Sequence, residues 1–384
     1  MIQALLVIAA VGGAVGLVLL VLNLRMIPRL SGVHPAAAAL PLVSIVVPAR
    51  NEERSVEAAV RSHLAQRYAN LEVIVVDDRS SDQTGEILAG LAAADSRLTI
   101  VAGTDPPPGW LGKPYALHQG ARTARGTLIL FADADVVYHA ESLEQAVTLL
   151  ERDRIDLLAI MPRIEAQGFW ENVLMPLLPS SVYLGAGFLL NRDRPRWLAG
   201  GAGAGNLIRR AVYDALGGHE ALRNSVVDDV RLALIARLGG YRTRVVRAED
   251  RVSVRMYRGF AEICRGFTKN IAYVFQGGLG FAFAVLTGIT LWIGLAPAST
   301  LLAALLGVPV PRSGILLAAA AYGLAVLARL AMACAIGSPR WPAWTHPLMA
   351  LVWTGIIVRS VYARVVRKRL TWRGRVFDAR DAQF

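Results

Sequence analysis

Lysine is nearly missing from this 384-residue chain: three lysines (113, 269 and 368) stand among 41 basic residues, and the rest are arginine. A lysine kept in so arginine-biased a chain implies a requirement of size or geometry, which marks Lys113. Cysteine is scarce too. Cys264 and Cys334 lie far apart, which excludes a disulfide framework and a cysteine metal site. The net charge of +12 comes without zinc-finger spacing and without a Lys/Arg-rich helix, so nucleic-acid binding is not read from it. Charge itself is absent from residues 2–24 and again from 270–311. Such runs are foreign to the surface of an ordinary soluble enzyme.

What is present explains those gaps. Residues 2–24 are long enough to cross a bilayer, which takes roughly 20 residues, and Arg25 and Arg29 follow at once. A cleaved signal peptide carries its positive charge before the apolar run, so a retained anchor over 1–25 is the better reading. Two further apolar stretches, about 314–336 (containing Arg329) and 343–363, complete a C-terminal membrane region over 270–363. The basic run from Arg364 to Arg375 abuts it, and residues 364–384 read as a juxtamembrane tail facing the cytoplasm. Nearly all the acids lie between, in a polar region of about 35–268, ample for one domain with its own core.

Within that region strands and helices alternate. VSIVVPA (43–49), LEVIVVDD (71–78), LTIVA (98–102) and TLILFADAD (127–135) are continuous apolar runs. Helical patterns at 51–66, after SSDQT, and at PYALHQGARTA separate them. Buried strands joined by helices predict an α/β domain with a mostly parallel sheet covered on both faces. Ligands then sit beyond the carboxyl ends of the strands. Those ends are Pro48, Ala49, Arg50, Asn51 and Glu52, then Asp77 and Asp78, then Asp133 and Asp135. Topology alone gathers these acids on one edge, where something positive must meet them.

SIVVPARNEE, VIVVDDRSSDQT, GKPYALHQG, FADAD and VVDDVRLALIARLGGY stand in the order and approximate spacing of the family 2 glycosyltransferases. The chain resembles that family over about 42–270. GWLGKPYAL and a terminal TWRGRVFD after membrane stretches look most like its hopanoid- and carotenoid-associated branch. The resemblance implies a GT-A fold and a nucleotide-sugar donor carrying UDP or GDP. Asp135 and Asp133 would hold a divalent ion, Mg²⁺ or Mn²⁺, which prefers oxygen ligands and is completed by substrate phosphates; the structural alternative is a helix cap. Asp77 and Asp78 would meet the donor's base and ribose; a turn and helix cap is the structural alternative, and both can hold together. Pro48, Ala49, Asn51 and Glu52 would line the nucleotide, with first-turn helix acids the alternative for Glu52. Lys113 would lie near the donor, and His118 stands where relatives often have Asn. Asp229 would be the general base, with Asp228 its neighbour, against the alternative of plain helix N-terminal charge. Polymerising relatives carry Q-x-x-R-W after the base; EICRGFTKN here favours transfer of a single sugar.

GGAGAGNLIRR (200–210) imitates a dinucleotide loop but does not fit G-x-G-x-x-G, and reads as a loop of close backbone approach to substrate. Arg209 and Arg210 are surface residues or phosphate contacts. Residues 172–191 are charge-free and long enough to span, yet one crossing would set Asp135 and Asp229 on opposite sides of the bilayer. With Pro176 and Pro179 inside, this segment is expected to lie in the interface or under the domain. Positive flanks place the polar domain in the cytoplasm, in a multi-pass protein of the plasma (inner) membrane. Three later spans would put the basic tail outside, so 270–311 re-enters or forms a hairpin around Pro297, or one stretch is not a span. The expected function is inverting transfer of one sugar to a lipid hydroxyl, hopanoid- or carotenoid-type. The alternatives are a polyisoprenyl-phosphate glycosyltransferase, a polysaccharide synthase and a non-enzymatic scaffold.

Overall fold

A computed structural model describes residues 2–34, 41–274, 294–362, 369–372 and 375–378. The chain divides into two compact units: Met1–Met26 with Ala166–Phe188 and Tyr257–Arg380, and Ile27–Glu165 with Leu189–Met256.

The second unit is built on eight strands: β1 (Val43–Ala49), β2 (Leu71–Asp77), β3 (Leu98–Ala102), β4 (Leu128–Phe131), β5 (Val136–Tyr138), β6 (Leu157–Ile164), β7 (Asn206–Arg209) and β8 (Thr243–Val254). They run in the order β3-β2-β1-β4-β7-β6-β8-β5. The first four are parallel, as their unbroken Val/Ile/Leu content requires of strands covered on both faces. β6 and β8 are also parallel, but β7 enters antiparallel between β4 and β6, and β5 pairs antiparallel with β8. The sheet is therefore mixed, with four parallel and three antiparallel pairings. β7 escapes a sequence reading because four residues, NLIR, follow a glycine-rich loop and show no long apolar run. Residues 27–34 also belong to this unit. Arg247 donates its N–H to the Pro28 carbonyl, and Leu30 and Val33 are buried in the same core as β1 and β6.

The other unit contains Ile2–Met26 and Arg312–Ile336, two helices long and apolar enough to cross a membrane. They pack closely: a Cβ on Gly13 would lie 2.9 Å from Cβ of Leu324. Small residues allow such approach between apolar helices. Val7, Ile8, Val11, Val15, Val18 and Val21 stay exposed on the first helix, an apolar face that water does not favour. Residues 172–191 form no single helix. Phe169–Leu174 and Leu177–Tyr183 are short helices separated at Pro176, with Pro179 in the first turn of the second. Asn23 fixes this segment: Nδ2 donates to the carbonyls of Val182, Tyr183 and Gly185, and Oδ1 accepts from the Phe188 N–H. Residues 166–188 and 257–268, expected within a 35–268 domain, thus fall in the unit of apolar helices. Pro297 lies inside a short helix, Gly294–Leu305, while residues 275–293 and most of the basic tail lie outside the described residues.

Candidate active site

The parallel register sets the carboxyl ends of β1, β2 and β4 on one edge. Ala49 stands beside Asp77, and the Asp78 N–H donates to the Ala49 carbonyl at 2.8 Å. The β1 loop is then stapled to the β2 loop. Asn51 Oδ1 accepts from the Ser81 N–H, the Glu52 N–H donates to Thr84 Oγ1, and Ser55 donates to Glu52 Oε2. Asn51 and Arg79 adopt left-handed backbone (φ 53° and 57°), a local strain of the kind concentrated at functional loops. Asp77 Oδ1 accepts from the Ser80 N–H. Asp78 is buried, which pushes its carboxyl up, while Arg79 at 3.0 Å and Arg50 at 3.7 Å pull it back. Pro48, Ala49, Asn51, Glu52, Asp77 and Asp78 thus form one connected rim of two loops.

A second group holds the positive charge that the acids need. Nζ of Lys113, at the start of helix Gly112–Thr123, lies 2.8 Å from Asp133 Oδ1 and 3.5 Å from Asp228 Oδ1. Burial opposes the ammonium, but Asp133, Asp228 and Asp229 outweigh it and hold its pKa above the ordinary lysine range. A guanidinium is broader and planar, so a point charge between two carboxylates calls for lysine. Asp228, 4% exposed, begins helix Asp228–Leu238. Burial pushes its carboxyl up to about 6; Lys113 opposes this, and Asp229 and Asp133 add to it.

The glycine loop closes the group. The Asp133 N–H donates to the Gly203 carbonyl at 2.9 Å. A Cβ on Gly203 would fall against Asp133 Oδ2 and 3.5 Å from Asp229 Oδ2, so those two oxygens flank one small space. A Cβ on Gly201 would strike the Asp229 backbone. The backbone of this loop closely approaches the two acids and the helix start that carries Asp229. Asn206, 1% exposed, clamps the arrangement: Nδ2 donates to the Asp229 carbonyl and Oδ1 accepts from the Ala202 N–H. Tyr138 OH donates to the Ala204 carbonyl. Asn206 and Tyr138 were not singled out from sequence. The one available signal was glycine at every second position of 201–205, which denies side chains to a segment threaded between acids. Arg209 pairs with Glu151 and Arg210 with Asp214, so both serve the fold.

Asp135, partly exposed, shares the β4–β5 turn with Asp133. Among the described residues no three His, Cys, Asp or Glu side chains form a preformed metal site. Mg²⁺ and Mn²⁺ need only one or two carboxylates when phosphates supply the remaining oxygens. Asp133 Oδ2 borders the space that glycine at 203 keeps open, and the oxygen donors of Asp133 and Asp135 fit such an ion.

Residues 44–217 match the sequence profile of glycosyl transferase family 2. The 4,4'-diaponeurosporenoate glycosyltransferase of Staphylococcus aureus (strain USA300) is 26% identical over 257 residues, covering 65% of this chain and 65% of the relative's own length. The solved structure of mannosyltransferase PcManGT from Pyrobaculum calidifontis, in complex with GDP-Man and Mn²⁺, superposes with a TM-score of 0.59 at 22% identity, over 96% of this chain and 100% of that one. At that identity the likeness is one of fold.

Proposed function

The chain belongs to glycosyl transferase family 2 and has the GT-A fold, and from that premise we propose that it is a membrane-anchored, inverting transferase of single sugars. The donor is a UDP- or GDP-linked sugar. The acceptor is a hydroxyl on an apolar lipid of hopanoid or carotenoid type; two membrane-length helices and the relative's substrate name support the apolar lipid, while the acceptor group in that name is a carboxylate. The catalytic unit lies on the cytoplasmic side of a plasma membrane that the chain crosses more than once, as Arg25 and Arg29 after the first apolar helix support.

The carrying observation is that Asp133 Oδ2 and Asp229 Oδ2 flank the space at Gly203. In the reaction Asp229 Oδ2 takes the proton of the acceptor hydroxyl as its oxygen attacks the anomeric carbon. Attack comes from the face opposite the diphosphate; the bond from that carbon to the diphosphate oxygen breaks and its electron pair leaves with the nucleotide. The Asn206 clamp on the Asp229 carbonyl holds the base in place. Lys113 keeps Asp133 and Asp228 in register and presents its ammonium to the donor diphosphate. The two-loop rim of Pro48, Ala49, Asn51, Glu52, Asp77 and Asp78 receives the nucleoside. Asp133 and Asp135 would hold a divalent ion, which when bound would neutralise charge on the departing phosphates.

Asp229→Asn is expected to lower turnover by about 10²–10⁴-fold while leaving nucleotide binding intact. Asp133→Asn with Asp135→Asn should abolish the Mn²⁺-dependent thermal shift produced by UDP or GDP. Most turnover surviving in Asp229→Asn would replace this reading with a transferase to a phosphate or carboxylate oxygen, neither of which needs a hydroxyl base. Mass analysis of lipids after gene deletion identifies the missing glycolipid and so both substrates.

A further inference from the structure

Arg329 stands on the apolar helix Arg312–Ile336, is 4% exposed, and has no hydrogen-bond partner at Nη1 or Nη2. The contrast with Arg237 is instructive. That residue is equally buried, yet its guanidinium donates to the carbonyls of Leu190, Leu198 and Arg192. The fold therefore satisfies a buried arginine where the role is structural, and leaves the fork of Arg329 open. No carboxylate nearby in sequence can answer it, because residues 270–377 contain no Asp or Glu. Within the same unit, Glu171 accepts from the N–H groups of Gln167 and Gly259, and Glu262 from that of Arg258. A charged group in an apolar surround persists only when something of opposite sign meets it.

The surroundings show where that partner would enter. Tyr322 lies two helical turns before Arg329, on the same face, and its OH donates to the Trp344 carbonyl at 2.7 Å. This bond brings the Trp341–Thr345 turn, and His346 after it, onto the Arg329 face. His346 lies within electrostatic reach of Arg329, and its Nδ1 is buried without a partner. Gly294 keeps the imidazole clear, since a Cβ there would fall against Nε2. Trp341 and Trp344 are 44% and 60% exposed, as interfacial indoles are. Arg329 is seven residues from the helix end at Ile336, roughly 10 Å below it at 1.5 Å per residue. From that depth an arginine can extend to water; this one turns inward.

We propose that Arg329 and His346 form an intramembrane site for the oxyanion head of a lipid, a carboxylate or phosphate carried on a long apolar chain. Nη1 and Nη2 of Arg329 take two oxygens of the head, the geometry the guanidinium fork matches, and His346 Nδ1 donates to one of them. The apolar chain lies along the helices of this unit. This binding is independent of glycosyl transfer and is measured without a donor.

The full-length chain in neutral maltoside detergent is heated with oleate, dioleoyl phosphatidic acid, phosphatidylcholine or sodium phosphate. Oleate and phosphatidic acid are expected to raise Tm saturably, by about 3 °C at a hundredfold excess over Kd. Arg329→Gln should lose that rise and be at least as heat-stable as the wild type without lipid, because its unpaired charge is gone. Arg329→Lys should keep part of the rise, and Asp229→Asn all of it. An equal rise with phosphatidylcholine or with inorganic phosphate, or an undiminished rise in Arg329→Gln, overturns the proposal. If Arg329→Gln does not fold, native mass spectra of the wild type decide. Retention of phosphatidic acid over phosphatidylcholine from an equal mixture supports the site, and equal retention rejects it.

Discussion

At the scale of the residue, charge compensation governs the site. Lys113 answers three carboxylates, so Lys113→Ala leaves them facing one another across a small space. Breaking a buried pair destabilises by several kcal/mol; with Asp133 partly exposed, about 2 kcal/mol is expected at pH 8. The deficit should shrink as pH falls, because Asp228, already pushed up to about 6 with Lys113 beside it, takes up a proton more readily once that charge is gone, and the repulsion eases. Urea titrations at pH 8 and pH 5 read the difference. A second residue sets the acid limit of the fold. His63 is fully buried over Tyr138, at 5.0 Å between ring centroids, and burial pushes its imidazole down from 6.5 to about 4. A base with a depressed folded pKa gives stability that is complete above about 6.5 and is lost as pH falls toward 4. The loss is on the order of 3 kcal/mol by pH 4. His63→Gln should flatten the fall of Tm between pH 6.5 and 4. His219, lowered to about 3 chiefly by burial, leaves a residual slope.

At the scale of the element, the glycine loop and the helix start at Asp228 behave as one part. Gly201 has no room for a Cβ because backbone of Asp229 and Val230 occupies it, whereas a Cβ on Gly203 would meet only the Asp133 side chain and, further off, that of Asp229. Gly201→Ala must displace the helix start that carries the base. Gly203→Ala needs only a rotation of Asp133. Gly201→Ala is therefore expected to lose turnover by at least 10-fold more than Gly203→Ala, while Gly203→Ala chiefly weakens the response to Mn²⁺. The same pair of elements shows what a sequence discloses. Asp133 was legible because an acid ending an apolar strand needs an explanation, Lys113 because lysine is nearly missing from the chain, Asp228 only through its likeness to the family's acidic pair, and the parallel strands β1, β2 and β4 because unbroken apolar runs fit a covered sheet. The antiparallel β7 and the Asn206 clamp were not. Four residues carry too little periodicity to show pairing partners, and a buried Asn looks like any loop Asn until its carbonyl partners are placed. The glycines hinted at close approach without saying to what.

At the scale of the whole molecule, the chain passes repeatedly between the two units, so neither is a continuous stretch of sequence. A fragment of 35–268, the span the sequence pattern isolates, cuts both. It keeps Val173, Leu174, Met175 and Tyr183, all buried in the complete chain, but loses Asn23, Trp353 and Ser360. Those residues bond the carbonyls of Val182, Leu174 and Thr268. Four uncovered side chains at about 1.5–3 kcal/mol each amount to an exposed apolar patch, and aggregation is the expected result. The fragment also discards Leu30 and Val33 from the sheet unit, together with the hydrogen bond from Arg247 to Pro28. A fragment of 27–268 restores these while still lacking the apolar helices. It should exceed 35–268 in unfolding free energy by about 3 kcal/mol, the value of two buried aliphatic side chains. Urea titrations of both fragments in neutral detergent measure this. Equal midpoints would show that residues 27–34 only rest on the sheet, and would return the domain boundary to 35.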